Sequence, residues 1–171
     1  MNIIEMLLKE LDQEAQTTRK MLAIVPNDKY DWQPHPKSMT VRQLATHIAE
    51  LPTWITLGLT TDELDFAKGD YKPEQINDTA TLLAIFEKNY ADGRARLATT
   101  NEGVLQERWV LRNGDAIYMD MNKAEVVRVA MSQTIHHRAQ LGVFLRLLNI
   151  PIPGSYGPSA DEQEFQVLEQ A

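Results

Sequence analysis

Apolar residues recur at three- and four-residue steps along four long stretches of the chain. Ile3, Met6, Leu7, Leu11 and Ala15, with Glu5, Lys9, Glu10 and Asp12 between them, predict an amphipathic helix over residues 2–24. It has to end before Pro26, because a residue preceding proline avoids helical backbone. The connection VPNDKYDWQPHPKS follows, with three prolines. Thr40 and Gln43 then stand at capping-box spacing. Behind them Val41, Leu44, Ile48, Leu51 and Ile55 form a second apolar stripe. Pro52 lies inside it and predicts a kink or a break, since it lacks an amide and crowds the preceding turn. Residues 60–78 are polar and read as a long connection. Asp78 or Thr79 caps a third helix, with Leu82, Leu83, Phe86, Tyr90 and Leu97 on one side. Asn122 and Glu125 open a fourth, which runs to about Asn149 with Val126, Ala130, Leu141, Phe144 and Leu148 as its inner stripe.

Residues 108–119, RWVLRNGDAIYM, break the helical period. Their β-branched and aromatic residues flank Asn113-Gly114, the favoured pair for the centre of a type I′ turn. A small hairpin is predicted, lying against the helices because a lone hairpin is marginal in water. IPIPGSYGPSADEQ stops the fourth helix, and Ser159 and Glu162 have capping-box spacing for a short helix after it. The predicted class is all-α. It is a four-helix bundle with crossover loops, a small β-hairpin near 108–119 and a short C-terminal helix, in a single domain spanning 1–171. The connections flanking the second helix are longer than those of a simple up-down bundle, which predicts at least one crossing of the bundle.

Composition narrows the function. The 171 residues carry a net charge of -7, which argues against general binding to nucleic acid or to membrane surfaces. Cysteine is absent, so no disulfide, thiolate nucleophile or cysteine metal site is available. The N-terminal MNIIEMLLKELDQEAQ carries acids every few residues and reads as neither a signal peptide nor a membrane span. A cytoplasmic protein is expected.

The chemistry lies with the histidines. Steps of three and four from Val126 reach Ala130, Gln133, His137, Leu141, Phe144 and Leu148, so His137 falls on the apolar stripe with Gln133 one turn before it. His136 lies about 100° away, on a mixed face with Val129, Ser132, Gln140 and Val143. On the second helix Leu44, His47, Leu51 and Ile55 repeat the pattern, and His47 points inward. Facing side chains in bundle interiors build metal sites, and imidazole is the commonest ligand. An inward histidine is more often a hydrogen-bonded core residue; two on adjacent helices make a shared site an even alternative. Catalytic zinc-type sites use three protein ligands, and Gln133 offers only a neutral amide oxygen. Glu50, one turn from His47, falls toward the polar side. His35, between prolines, is expected in solvent, and Met119, Met121, Met131, Trp54 and Phe144 in packing contacts.

SMTVRQLATHIAELPTW and SQTIHHRAQLGVFLRLLNIPIPGSYGPSADE resemble the DinB-like, or YfiT-like, superfamily. The second stretch is similar to that family's H-x-x-H-H-R-G-Q segment and its R-x-L-G-x-P-x-P continuation, and Trp32 in WQPHPKSMT matches the entry to the second helix. The resemblance covers almost the whole chain. It implies a four-helix bundle with a divalent metal, often zinc or nickel, held by three histidines, one on the second helix and two at i, i+4 on the fourth. Carried onto this sequence, the metal ligands are His47, residue 133 and His137, with His136 the adjacent non-ligand. Residue 133 is glutamine where the family has histidine, which weakens the expected site. The resemblance also implies a homodimer and, for some members, transferase or isomerase chemistry with low-molecular-weight thiols such as bacillithiol or mycothiol.

Two functions follow. One is a metal-dependent thiol transferase or hydrolase acting on a small molecule, with the thiol supplied by a cosubstrate. The other is a non-catalytic member with a degenerate metal site, a small-ligand-binding or structural stress-associated dimer. Arg138 is a candidate for steering an anionic group, although an arginine beside an inward histidine is more often a surface or interface residue. Tyr156 and Asp161 are candidates for closing over the site, although a packing role is the more usual one for such a tail. Direct DNA binding is set aside, for want of a basic recognition helix.

Overall fold

The structure is a computed structural model that describes residues 2–69 and 74–162. Its four longest helices begin where polar side chains satisfy the first orphan amides. Helix α1 (Ile3–Ala23) starts at a capping box of Asn2 and Glu5. Helix α2 (Val41–Glu50) starts at the expected box of Thr40 and Gln43. Helix α4 (Thr79–Thr99) is capped by Asp78, which accepts from the Thr81 amide at 2.8 Å. Helix α6 (Lys123–Leu147) opens on Asn122 and Glu125. It closes at Asn149, whose φ of 58° is the left-handed C′ conformation, and the Ile150 amide returns to the Leu145 carbonyl at 3.0 Å.

Pro52 breaks the second apolar stripe, as its missing amide requires. Helix α2 ends at Glu50 and the eight-residue α3 (Thr53–Thr60) continues beyond it. The break is packed against Gly93 of α4, where a Cβ would stand 2.8 Å from the Pro52 carbonyl oxygen. The four layers of the bundle are α1, α4, α6 and the α2–α3 pair. Helix α1 packs on α4 and α6, and so does α2–α3, so the two elements first in sequence lie on a diagonal. The 24–40 connection therefore crosses one end of the bundle, anchored by buried Tyr30 and half-buried Trp32.

The region after α4 holds a short helix α5 (Glu102–Leu105) and the predicted hairpin, β2 (Arg108–Asn113) and β3 (Ala116–Asn122). Two details differ from expectation. Asn113 pairs with Ala116, so Gly114 and Asp115 form the turn, and Gly114 takes positive φ (57°) while Asn113 does not. Glycine first with positive φ is the requirement of type II′ rather than type I′. The hairpin is also part of a three-stranded sheet. The polar 60–78 stretch contains strand β1 (Glu63–Asp65), parallel to β2 with Leu64 opposite Leu111. No apolar alternation marks β1. Charge holds it: Glu63 pairs with Arg112, and Asp65 accepts from the Gly114 and Ala67 amides. The sheet's inner face, Trp109 and Leu111, packs on Val126, Trp54 and Leu57.

Of the expected packing residues, Met131 is buried, Trp54, Met121 and Phe144 are half-buried, and Met119 is 37% exposed. The helix expected after Ser159 lies outside the described residues, although Glu162 already accepts from the Ser159 amide at 3.1 Å. No helix among the described residues is long and apolar enough to cross a membrane.

Candidate functional site

The buried face of α6 takes in Val126, Ala130 and Leu141 of the apolar grid and, on one side of them, Val127, Met131, Thr134, Arg138 and Leu145. Gln133 and His137 consequently lie at its margin, half-buried, and Phe144 and Leu148 do likewise. His47 is half-buried on α2. The two helices are neighbours, and His47 and His137 meet edge to face, with ring centroids 4.7 Å apart and planes at 77°. His136 is exposed, with its ring centroid 4.9 Å from that of His137. The sequence assignment of the inward and outward histidines matches this arrangement.

Each imidazole has a defined environment. Burial, and after it the proximity of His137, push His47 below its ordinary value, with Glu50 opposing them. His47 is therefore neutral near pH 7, the state in which a ring nitrogen has a lone pair to give. His137 Nδ1 stands 2.8 Å from Gln140 Oε1, one turn along α6. With the proton on Nδ1, that contact is a hydrogen bond to the amide oxygen and leaves Nε2 as the free donor atom. Gln140 went unrecognised in the sequence because the grid placed it with His136 on the mixed face. Glu50 accepts from the Glu74 amide at 3.2 Å. No hydrogen bond joins Gln133 to either imidazole among the described residues, and His35 lies exposed in its loop. No group of three or more His, Asp or Glu side chains arranged to hold a metal ion occurs among the described residues. Two imidazoles from facing helices fit a divalent ion, and the neutral Gln133 amide as third donor makes the fit a weak one.

Arg138 is not a surface residue. It is 1% exposed, and its Nη1 donates to Glu14 Oε2 at 2.6 Å and to Thr18 Oγ1 at 3.1 Å. Nη2 donates to the Tyr156 hydroxyl at 3.0 Å, and that hydroxyl donates to Glu14 Oε1 at 2.9 Å. Burial, and then the Glu14 contact, raise the Tyr156 phenol, which keeps its proton for that bond. Asp161 pairs with Arg146 at 2.9 Å and accepts from the Ile152 amide. Tyr156 and Asp161 thus bind the C-terminal segment to α1 and α6 and make none of these bonds to the histidines. The signal for this network was present in sequence. Glu14 and Thr18 follow Leu7 and Leu11 at steps of three and four, an acid on an apolar stripe, and Arg138 follows Thr134 and precedes Leu141 in the same way.

A four-layered helical bundle with a histidine pair shared between its second and last long helices defines the class. The chain belongs to the DinB family, which it matches over residues 1–170. It is 23% identical over 158 residues to the uncharacterized protein YrdA of Bacillus subtilis (strain 168), covering 91% of this chain and 89% of that one. Its fold is similar to that of YfiT from Bacillus subtilis, described as a probable metal-dependent hydrolase with an unusual four-helix bundle topology. The TM-score is 0.67 at 13% identity, over 88% of this chain and 91% of YfiT. It is also similar to the mycothiol-dependent maleylpyruvate isomerase, with a TM-score of 0.60 at 15% identity, over 82% of this chain and 61% of that one.

Proposed function

We propose that this DinB-family protein holds a divalent metal, zinc or nickel, between α2 and α6, and uses it in a transferase or hydrolase reaction on a small molecule. The observation that carries this reading is the meeting of His47 and His137 from two helices at 4.7 Å. A divalent ion there supplies Lewis acidity, which lowers the pKa of a bound water or thiol into the neutral range. The chain's own groups prepare the place. His47 offers an uncharged nitrogen because burial disfavours its proton. Gln140 orients His137 and holds its tautomer. Gln133 would be the third donor, through a neutral amide oxygen. The chain has no cysteine, so a thiol reaction requires a low-molecular-weight thiol as cosubstrate. The mycothiol dependence of a protein of similar fold supports that class.

That no group of three His, Asp or Glu side chains arranged to hold a metal ion occurs among the described residues favours a second reading. In it the histidines are a polar contact in a ligand-binding or structural member without catalysis. Elemental analysis of untagged protein separates the two. Near-stoichiometric zinc or nickel, lost in both His47→Ala and His137→Ala, supports the metal centre and leads to a screen with bacillithiol and mycothiol. No uptake from micromolar zinc or nickel sinks the metal reading and leaves the second.

A further inference from the structure

The α6 face turned toward α1 is apolar at both ends and polar in the middle. Val127, Met131, Leu141 and Leu145 are buried there, with Thr134 and Arg138 between them. Thr134 returns its hydroxyl to the Ala130 carbonyl of its own helix and is satisfied at any helix rotation. Arg138 is different. Its partners belong to other segments: Glu14 and Thr18 on α1, and Tyr156 in the C-terminal segment, over whose ring the guanidinium also sits at 5.6 Å. A planar, fully buried fork meets such partners in few orientations. His137 is the preceding residue, about 100° round the helix. With Arg138 directed at α1, His137 is directed at His47 on α2.

We infer that Arg138, Glu14 and Tyr156 are positioning residues whose buried network holds α6 at the rotation that brings His137 against His47. The inference rests on the reading of that pair as the functional centre. It also gives the C-terminal segment a task. Asp161 fixes the segment to Arg146 and to the Ile152 amide, and Ser159 donates to the Ile152 carbonyl. Tyr156 then completes the network from outside the bundle by bridging both ends of the ion pair.

The test uses full-length protein, metal-free and then with Co2+ alone. The double variant Glu14→Leu/Arg138→Met replaces the pair by apolar chains and strands no buried charge. Tyr156→Phe removes one hydroxyl and is the control should the double variant fail to fold. In metal-free wild type an NMR cross-peak between the His47 and His137 ring protons is expected. The double variant should keep the far-UV circular dichroism of the wild type, lose that cross-peak and bind Co2+ about tenfold more weakly. Tyr156→Phe should weaken the cross-peak and Co2+ binding about threefold. A folded double variant, or a Tyr156→Phe protein, with the cross-peak at full intensity overturns the inference. Loss of the cross-peak in the variants of a protein that takes up no Co2+ upholds the positioning role and discards the metal centre.

Discussion

His137 Nδ1 and Gln140 Oε1 are 2.8 Å apart, one helical turn from each other on α6. With the His137 proton on Nδ1, the contact is a hydrogen bond that leaves Nε2 able to bind a metal. Partners of this kind typically contribute tenfold to a hundredfold to metal affinity. Gln140→Ala is expected to weaken zinc binding by about tenfold with little change in stability, as measured by competition against a chromophoric chelator. Unchanged affinity would show that Gln140 does not orient the ring.

Restoring an imidazole at the weak position should act in the opposite direction. Gln133→His is expected to tighten zinc binding by roughly tenfold or more, about 1.4 kcal/mol, in the same competition assay. Equal affinities for variant and wild type would mean that residue 133, at the margin of the stripe, does not reach the histidine pair.

The buried pair sets a stability prediction. Arg138→Met alone leaves Glu14, 5% exposed, without its cation. Breaking a buried pair from one side costs about 3–5 kcal/mol, whereas replacing both partners by apolar side chains is often neutral. Urea unfolding should show a loss of that order in Arg138→Met and recovery of most of it in Glu14→Leu/Arg138→Met. Additive losses in the double variant would contradict the coupling.

The lowered pKa of His47 gives a pH dependence with a definite sign. The unfolded chain takes up this proton more readily than the folded one. The stabilisation is complete above the unfolded value, near 6.5, and is lost as the pH falls through the folded value. The melting temperature of metal-free protein should fall on acidification below about pH 6.5, and His47→Gln should flatten that part of the profile. Identical profiles for variant and wild type would show that His47 is not held neutral by its surroundings.

The break at Pro52 is packed as tightly as a backbone contact allows. Gly93→Ala sets a methyl 2.8 Å from the Pro52 carbonyl oxygen and 3.5 Å from Ile55 Cβ. Backbone cannot rotate away, so a cost of about 1–3 kcal/mol is expected in thermal or urea unfolding. A neutral substitution would indicate that α3 and α4 separate freely.

The sequence by itself determined the long helices and the helix faces on which the histidines fall. Capping residues and apolar steps are local, and a helix's first amides are satisfied within three residues of where they start, so Thr40 and Asn122 marked α2 and α6 unaided, and α4 was marked to within one residue, at Asp78 or Thr79. The inward turn of His47 and His137 followed from the same period. Three things required the tertiary structure. Strand β1 is made by Arg112 and Gly114, which lie 49 residues away from its carboxylates, and its own residues carry no strand pattern. The turn of the hairpin shifted by one residue because cross-strand register, not the local Asn-Gly pair, places Asn113 opposite Ala116. The burial of Arg138 was decided by Glu14, 124 residues earlier, which meets it inside the bundle. Burial of a charge depends on a partner. Local periodicity finds the face of a helix, and only the packed structure shows which charged residue on that face has a partner to meet.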